Sequence, residues 1–371
     1  MKEKFFTKER TIFLLIAFGI TYIMGIPLYF AKQKGIDINI FPNFQMHLPA
    51  AGVMIAMLLT RKSDPNLPKK FYYTYLLGVL ILFSLTIISF FIPGNQWLSY
   101  SSLVMVAFSV VLWIMLINQK KNNRAYGLDK GSIKRVLLAA LIFVVLYFAR
   151  IFIYAGITGE WNEINALLQT RNLGLAAMLI PNFLLTMMPF FGEEYGWRTY
   201  LQPIFQKDFG MWKGIFLLGL VWGLWHLPLN LFYYSADGMG AMSLMNQIVN
   251  CITLSFFLGF VFNYSKSTWS AALIHFLNNN MVLFFVEDVS SSVLQNNIYS
   301  IQSILLLFGL SAVLFGPFMF TKWMKKDEYR MKTIEERAEE ERMNPEDTEE
   351  DESPGRVSEY RKIDSGKQVS K

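Results

Sequence analysis

The chain has 371 residues, of which 53% are hydrophobic, 16% aromatic and only 17% charged, where an ordinary soluble domain carries roughly 25% charged residues. That deficit excludes an average soluble enzyme and a disordered chain, and the single cysteine, Cys251, excludes a module built on internal disulfides. The net charge of +6 is not a nucleic-acid signal, because residues 1–321 hold 22 Lys+Arg against 13 Asp+Glu while residues 322–371 hold 12 against 15. A basic apolar body with an acidic tail describes a membrane protein, with the lipid bilayer as its surroundings and no nucleic-acid partner.

A transmembrane helix needs about 20 mostly apolar residues to cross a hydrocarbon core about 30 Å thick. Segments that meet or approach this are 11–30, 42–60, 72–92, 98–118, 136–157, 174–191, 214–233, 244–263, 269–286 and 299–320. The second and ninth are short or interrupted by polar residues. The predicted fold is therefore all-α: a polytopic membrane helix bundle of about ten transmembrane helices. The first segment ends on the bulky Pro27-Leu28-Tyr29-Phe30 and reads as a retained anchor, not a cleaved signal peptide.

Lys and Arg in short loops stay on the cytoplasmic side. They concentrate before the first span (Lys2, Lys4, Lys8, Arg10), after the second (Arg61, Lys62, Lys69, Lys70), after the fourth (Lys120, Lys121, Arg124, Lys130, Lys134, Arg135) and after the last (Lys322, Lys325, Lys326). This alternation predicts both termini inside, in a plasma membrane, and the absence of a eukaryotic sorting signal suggests a bacterial one. The organisation read from it is a cytoplasmic N-terminus at 1–10, five accessory helices over 11–171, a core at 172–286 that holds the polar motifs, a last helix within 287–321, and a charged, disordered cytoplasmic tail at 322–371. Within the tail, Glu335–Arg342 reads as a short solvated helix that Pro345 and Pro354 end. A solubilising role is the plain reading of the tail, and docking of a cytoplasmic partner is its alternative.

Titratable groups inside membrane helices are costly, so they mark function. Here they gather in three successive spans: Phe191-Gly192-Glu193-Glu194-Tyr195-Gly196-Trp197-Arg198, then Trp222-Gly223-Leu224-Trp225-His226-Leu227-Pro228, then His275-Phe276-Leu277-Asn278-Asn279-Asn280. Residues four apart share a helix face, which pairs Glu194 with Arg198, Trp222 with His226 and His275 with Asn279. Glu193 and Glu194 point about 100° apart, so one can face a reaction while Arg198 holds the other. Pro228 lacks the amide that would bond the carbonyl of Leu224, which predicts a kink around His226. Two isolated polar groups invite the opposite reading: His47 as a packing residue near the outer end of the second span, and Arg150 as a side chain that snorkels to the outer surface.

A carboxylate and an imidazole around one point can hold and deprotonate a water, and a second imidazole with an amide can donate to a developing oxyanion. That is the minimum equipment for hydrolysing a peptide bond. Two His and one Glu are also the ligand set of a catalytic zinc with an open position, and the residues alone leave both mechanisms open. No HExxH, GxSxG or phosphate-binding loop is present.

The combined pattern, Glu193-Glu194-x-x-x-Arg198, Trp222-x-x-x-His226 and His275-x-x-x-Asn279, resembles the CPBP intramembrane protease family, the type II CAAX prenyl endopeptidase and Abi superfamily. The resemblance covers roughly residues 174–286, and the one departure is Trp222, where the family often has Phe. It implies Glu193 as general base aided by His226, His275 and Asn279 as the oxyanion hole, and Glu194, Arg198 and Trp222 as support. It assigns no firm cofactor; if zinc is bound, its ligands are Glu193, His226 and His275. The implied activity is an intramembrane endopeptidase that cuts membrane-embedded or lipidated substrates near the cytoplasmic face. A non-catalytic immunity factor or scaffold for a sensor protein is the alternative, and a proton-relay transporter is disfavoured because the titratable groups occupy only one half of the chain.

Overall fold

Thirteen helices organise the residues that the structure, a computed structural model, describes: 6–118, 124–286 and 294–343. They are α1 Lys8–Gln33, α2 Leu48–Thr60, α3 Lys69–Phe91, α4 Gln96–Asn118, α5 Ile133–Thr158, α6 Arg171–Leu185, α7 Met187–Phe209, α8 Met211–Trp225, α9 Leu227–Tyr234, α10 Gly240–Ser265, α11 Thr268–Asn280, α12 Ile301–Phe320 and α13 Ile334–Met343. Short helical turns fill several connections, and among the described residues there is no strand, only an isolated bridge between Ser235 and Asn297. The chain is an all-α, multi-pass membrane protein. Lys2, Lys4, Lys120, Lys121 and the tail from 344 onward, with Pro345 and Pro354, lie outside the described residues.

Among the described residues, six helices are long and apolar enough to cross a bilayer: α1, α3, α4, α5, α10 and α12. Two bent pairs, α6 with α7 at 65° and α8 with α9 at 46°, bring the number to eight if each pair is one span. The other two expected spans, 42–60 and 269–286, fall on α2 and α11, each of 13 residues. At 1.5 Å per residue such a helix is about 20 Å long, too short to cross. Both are apolar because protein surrounds them: α11 is buried at every residue from Thr268 to Leu277, and α2 at nine of its residues. Hydropathy registers burial in protein and burial in lipid alike. The lipid-facing signal is instead on α4 and α5, where Leu103, Ile117, Leu137, Leu141 and Val145 are exposed.

Close helix approach in the core depends on paired glycines four apart, the packing device of membrane helices. On α7, a Cβ at Gly192 would stand 2.6 Å from the Met46 carbonyl oxygen, and one at Gly196 would stand 2.4 Å from Pro49 Cβ. On α8, Cβ atoms at Gly219 and Gly223 would meet the α10 backbone at 2.6 and 2.7 Å, at Ile252 and Ile248. The first pair seats α7 against α2, and the second seats α8 against α10.

The tail corrects the sequence reading over 322–343, which is folded. Thr333 and Glu336 form a capping box at the start of α13, with Thr333 N donating to Glu336 Oε2 at 2.7 Å and Glu336 N to Thr333 Oγ1 at 3.2 Å. Ile334 and Ala338 are buried, so α13 is not solvated all round. Lys266 Nζ donates to the Tyr329 carbonyl at 2.6 Å, Met331 N to Asn263 Oδ1 at 3.1 Å, and Ala125 N to Glu341 Oε1 at 2.8 Å. These bonds strap the segment across the basic end of the bundle, beside the loops at 61–68 and 124–131.

Candidate active site

The site lies where both bent pairs break. Pro189 removes the amide that would bond the Leu185 carbonyl, and the chain bends at Thr186 between α6 and α7. Groups near the bend find partners on α4: Trp113 Nε1 donates to the Leu184 carbonyl at 2.9 Å, and Met188 N donates to Ser109 Oγ at 3.1 Å. The expected kink at Pro228 is present as the 46° break at His226. The Leu224 carbonyl it leaves without a helical amide accepts from Tyr22 Oη at 3.0 Å. Backbone freed at a break in lipid must be satisfied by neighbouring helices, and here α1 and α4 do so.

Trp222 is the hub. Its Nε1 donates to Glu193 Oε2 at 2.8 Å, and its carbonyl accepts from His226 Nδ1 at 2.9 Å. Its ring lies 5.5 Å edge-on from His275 and 5.1 Å under the Arg198 guanidinium. Glu194 ties its own helix to α11, accepting from Arg198 Nε, one turn on, at 2.8 Å through Oε2 and from His275 Nδ1 at 2.9 Å through Oε1. Arg198 continues to Ser255 Oγ on α10 at 3.3 Å. Glu193, Glu194, Arg198, Trp222, His226 and His275 are all buried, Glu194 and Arg198 completely. The predicted division of the double glutamate is therefore present: Arg198 holds Glu194, and Glu193 lies on the other side against Trp222.

These bonds fix the free atoms. A carbonyl and a carboxylate only accept, so the Nδ1 atoms of His226 and His275 carry protons and donate. Nε2 of each ring and Oε1 of Glu193 make no hydrogen bond among the described residues. Asn279 stands apart. It follows His275 by one turn on α11, but it is exposed and accepts from Asn278 Nδ2 at 3.1 Å. The structure thus joins six of the seven residues singled out and leaves Asn279 at the rim.

Among the described residues, no three His, Cys, Asp or Glu side chains stand close enough to share a metal ion. Glu193, His226 and His275 as placed do not form the three-ligand set of a catalytic zinc, and Glu193 Oε2 is already taken by Trp222.

Sequence reasoning missed the residues that enclose the site. Asn230 Nδ2 donates to the His226 carbonyl at 3.0 Å, and Gln45 Nε2 reaches the Trp225 carbonyl at 3.4 Å. His47 is fully buried, with Nδ1 2.7 Å from the Asn43 carbonyl and its Cα against Gly192. It sits beside Tyr75, in the second turn of α3. Arg150 lies over the Tyr147 ring at 5.2 Å, away from the cluster. The glycine pairs were the sequence signal that could have placed α2 and α3 beside Glu193.

Residues 172–281 match the family model of the type II CAAX prenyl endopeptidase Rce1-like proteins. A curated relative, CAAX prenyl protease 2 of Methanococcus maripaludis, is 21% identical over 239 residues, 60% of this chain and 85% of the relative. No solved structure matches the chain. The matched segment contains the double glutamate, both membrane histidines, Trp222 and Asn279, the residues whose spacing carried the resemblance. Residues 172–281 of this chain are therefore an Rce1-like domain of the type II CAAX prenyl endopeptidase kind.

Proposed function

We propose that the protein is an intramembrane endopeptidase that cleaves lipidated or membrane-embedded peptides near the cytoplasmic face by a glutamate-activated water. The observation that carries this reading is the Trp222 hub, which holds Glu193 by one oxygen and His226 by Nδ1, leaving Oε1 of the one and Nε2 of the other as acceptors. A water between two such acceptors has its protons drawn off and its oxygen lone pairs turned away from both. Glu193 takes a proton as the oxygen attacks the scissile carbonyl, and the protonated glutamate then returns it to the departing amine. His275 donates from Nε2 to the oxyanion in its doubly protonated form, with Glu194 as the balancing carboxylate at Nδ1. Asn279, at the rim, joins as the second donor when the peptide enters. Loss of one oxyanion donor costs about 10²–10³ in rate.

The name of the Methanococcus relative directs the choice of substrate. The test is a quenched peptide ending in a farnesylated Cys-aliphatic-aliphatic-X sequence, given to the full chain in proteoliposomes, with the unprenylated peptide alongside. Cleavage between the farnesylated cysteine and the next residue supports the reading. If neither peptide is cut by a protein that is folded and monodisperse, the CAAX assignment fails.

A further inference from the structure

One buried polar group at the site has no role in the mechanism above. Trp197 is fully buried, and its Nε1 makes no hydrogen bond to any protein atom. A buried indole N–H ordinarily finds an acceptor. The rings packed on it supply none: Trp225 lies edge-to-face at 5.5 Å, Phe13 at 6.0 Å and Phe18 at 6.1 Å. Trp225 commits its own N–H elsewhere, to the Ala17 carbonyl at 2.9 Å.

Trp197 follows Glu193 by one turn, at the start of a widened π-helical stretch, Tyr195–Leu201, a feature often found at functional sites. Its indole N–H acts on the Glu193 carboxylate without forming a hydrogen bond to it. The ring series continues to the other acceptor, since Trp225 lies 4.8 Å from the His226 ring. One donor and two acceptors are therefore neighbours around Trp222 and Trp225. A bound water needs two to four polar partners, and this set offers three.

We infer that Trp197 is the positioning donor of the nucleophilic water: its N–H gives a hydrogen bond to the water oxygen while Glu193 Oε1 and His226 Nε2 accept the two water protons. The water then uses one lone pair on Trp197 and presents the other to the scissile carbonyl. This inference rests on the proposed hydrolytic role of Glu193.

The experiment replaces the indole N–H alone. Trp197→Phe keeps a ring against Trp225, and β-(3-benzothienyl)alanine incorporated at 197 keeps the full bicyclic shape with sulfur in place of N–H. With the farnesylated peptide in proteoliposomes, both should lower kcat at least about 10-fold, the equivalent of one hydrogen bond. KM should stay within two-fold, and thermal stability should hold in the benzothienyl variant. Either replacement added to Glu193→Gln should cost no further activity. Wild-type kcat in the benzothienyl variant overturns the inference, as does a loss confined to KM or one accompanied by unfolding. If Glu193→Gln itself remains active, the hydrolytic reading has failed; if it is inactive while the benzothienyl variant is normal, only the role of Trp197 has.

Discussion

Removing Arg198 tests whether the Glu194–Arg198–His275 chain is the support on which the site is built. Arg198 makes a 2.8 Å bond to Glu194, a 3.3 Å bond to Ser255 and a cation–π contact with Trp222, and both ion-pair side chains are wholly buried. Arg198→Ala leaves the Glu194 carboxylate in the core with His275 Nδ1 as its remaining charged partner. Breaking a buried pair from one side costs about 3–5 kcal/mol, against a total stability of about 5–15 kcal/mol. The melting temperature in detergent should fall by at least about 6 °C, and the amount of protein in the membrane should fall with it. Removing both charges should hurt less than removing one, because no unmatched charge remains. Glu194→Gln combined with Arg198→Met should therefore recover at least about 1 kcal/mol of the loss, measured as a double-mutant cycle. Activity should not return in the double variant, since His275 loses its carboxylate. A normal melting temperature in Arg198→Ala, or strictly additive effects in the cycle, would refute the argument.

Three further outcomes follow from the packing and from the strap. Gly196→Ala places a Cβ 2.9 Å from the Pro49 backbone carbon; overpacking of this kind costs about 1–3 kcal/mol, so it should lower the melting temperature, whereas Gly309→Ala, whose Cβ meets nothing within 4 Å, should not. Burial, and then the charges of Arg135, Arg330, Arg337 and Lys332, bring Lys266 down to about 8 from 10.5. The docked strap thus binds fewer protons than the undocked one between those values, and its docking should strengthen as pH rises from 8 towards 10. Hydrogen exchange over 329–343, corrected for the intrinsic rate, reads this, and Lys266→Met should remove the slope. Asn279→Ala should keep full stability and a residue of activity, because the side chain is exposed and the base remains; complete inactivity would show that Asn279 does more than donate to the oxyanion.

The polar residues were legible in the sequence because charge is expensive in a membrane. Glu193, Glu194, Arg198, His226 and His275 stand out in apolar helices, and Pro228 announces the break beside His226. What tied them together was not legible. Trp222 reads as an aromatic support that shares a face with His226, and its place at the centre depends on a donor and a carbonyl pointing in different directions, which spacing does not reveal. The two short helices read as spans because hydropathy cannot separate a protein interior from lipid. The tail read as disordered because its charges dominate its composition, while its docking depends on Ile334, Ala338 and backbone groups that meet Asn263, Lys266 and Glu341 only after folding. The helices read as accessory supply part of the site's wall: Tyr22, Gln45, His47 and Tyr75 all meet the elements that carry Glu193 and His226.

The central claim is that Glu193 is the base of a hydrolytic reaction. Glu193→Gln keeps the size of the side chain and an oxygen able to accept from Trp222 Nε1, so the fold should survive while proton abstraction is lost. The decisive measurement is cleavage of the farnesylated peptide by purified Glu193→Gln protein in proteoliposomes, beside wild type of matched amount and melting temperature. The account predicts a loss of at least about 10³ in kcat, with His226→Ala adding little more, since groups that act as one unit are strongly non-additive. Undiminished cleavage by a folded Glu193→Gln protein would contradict it.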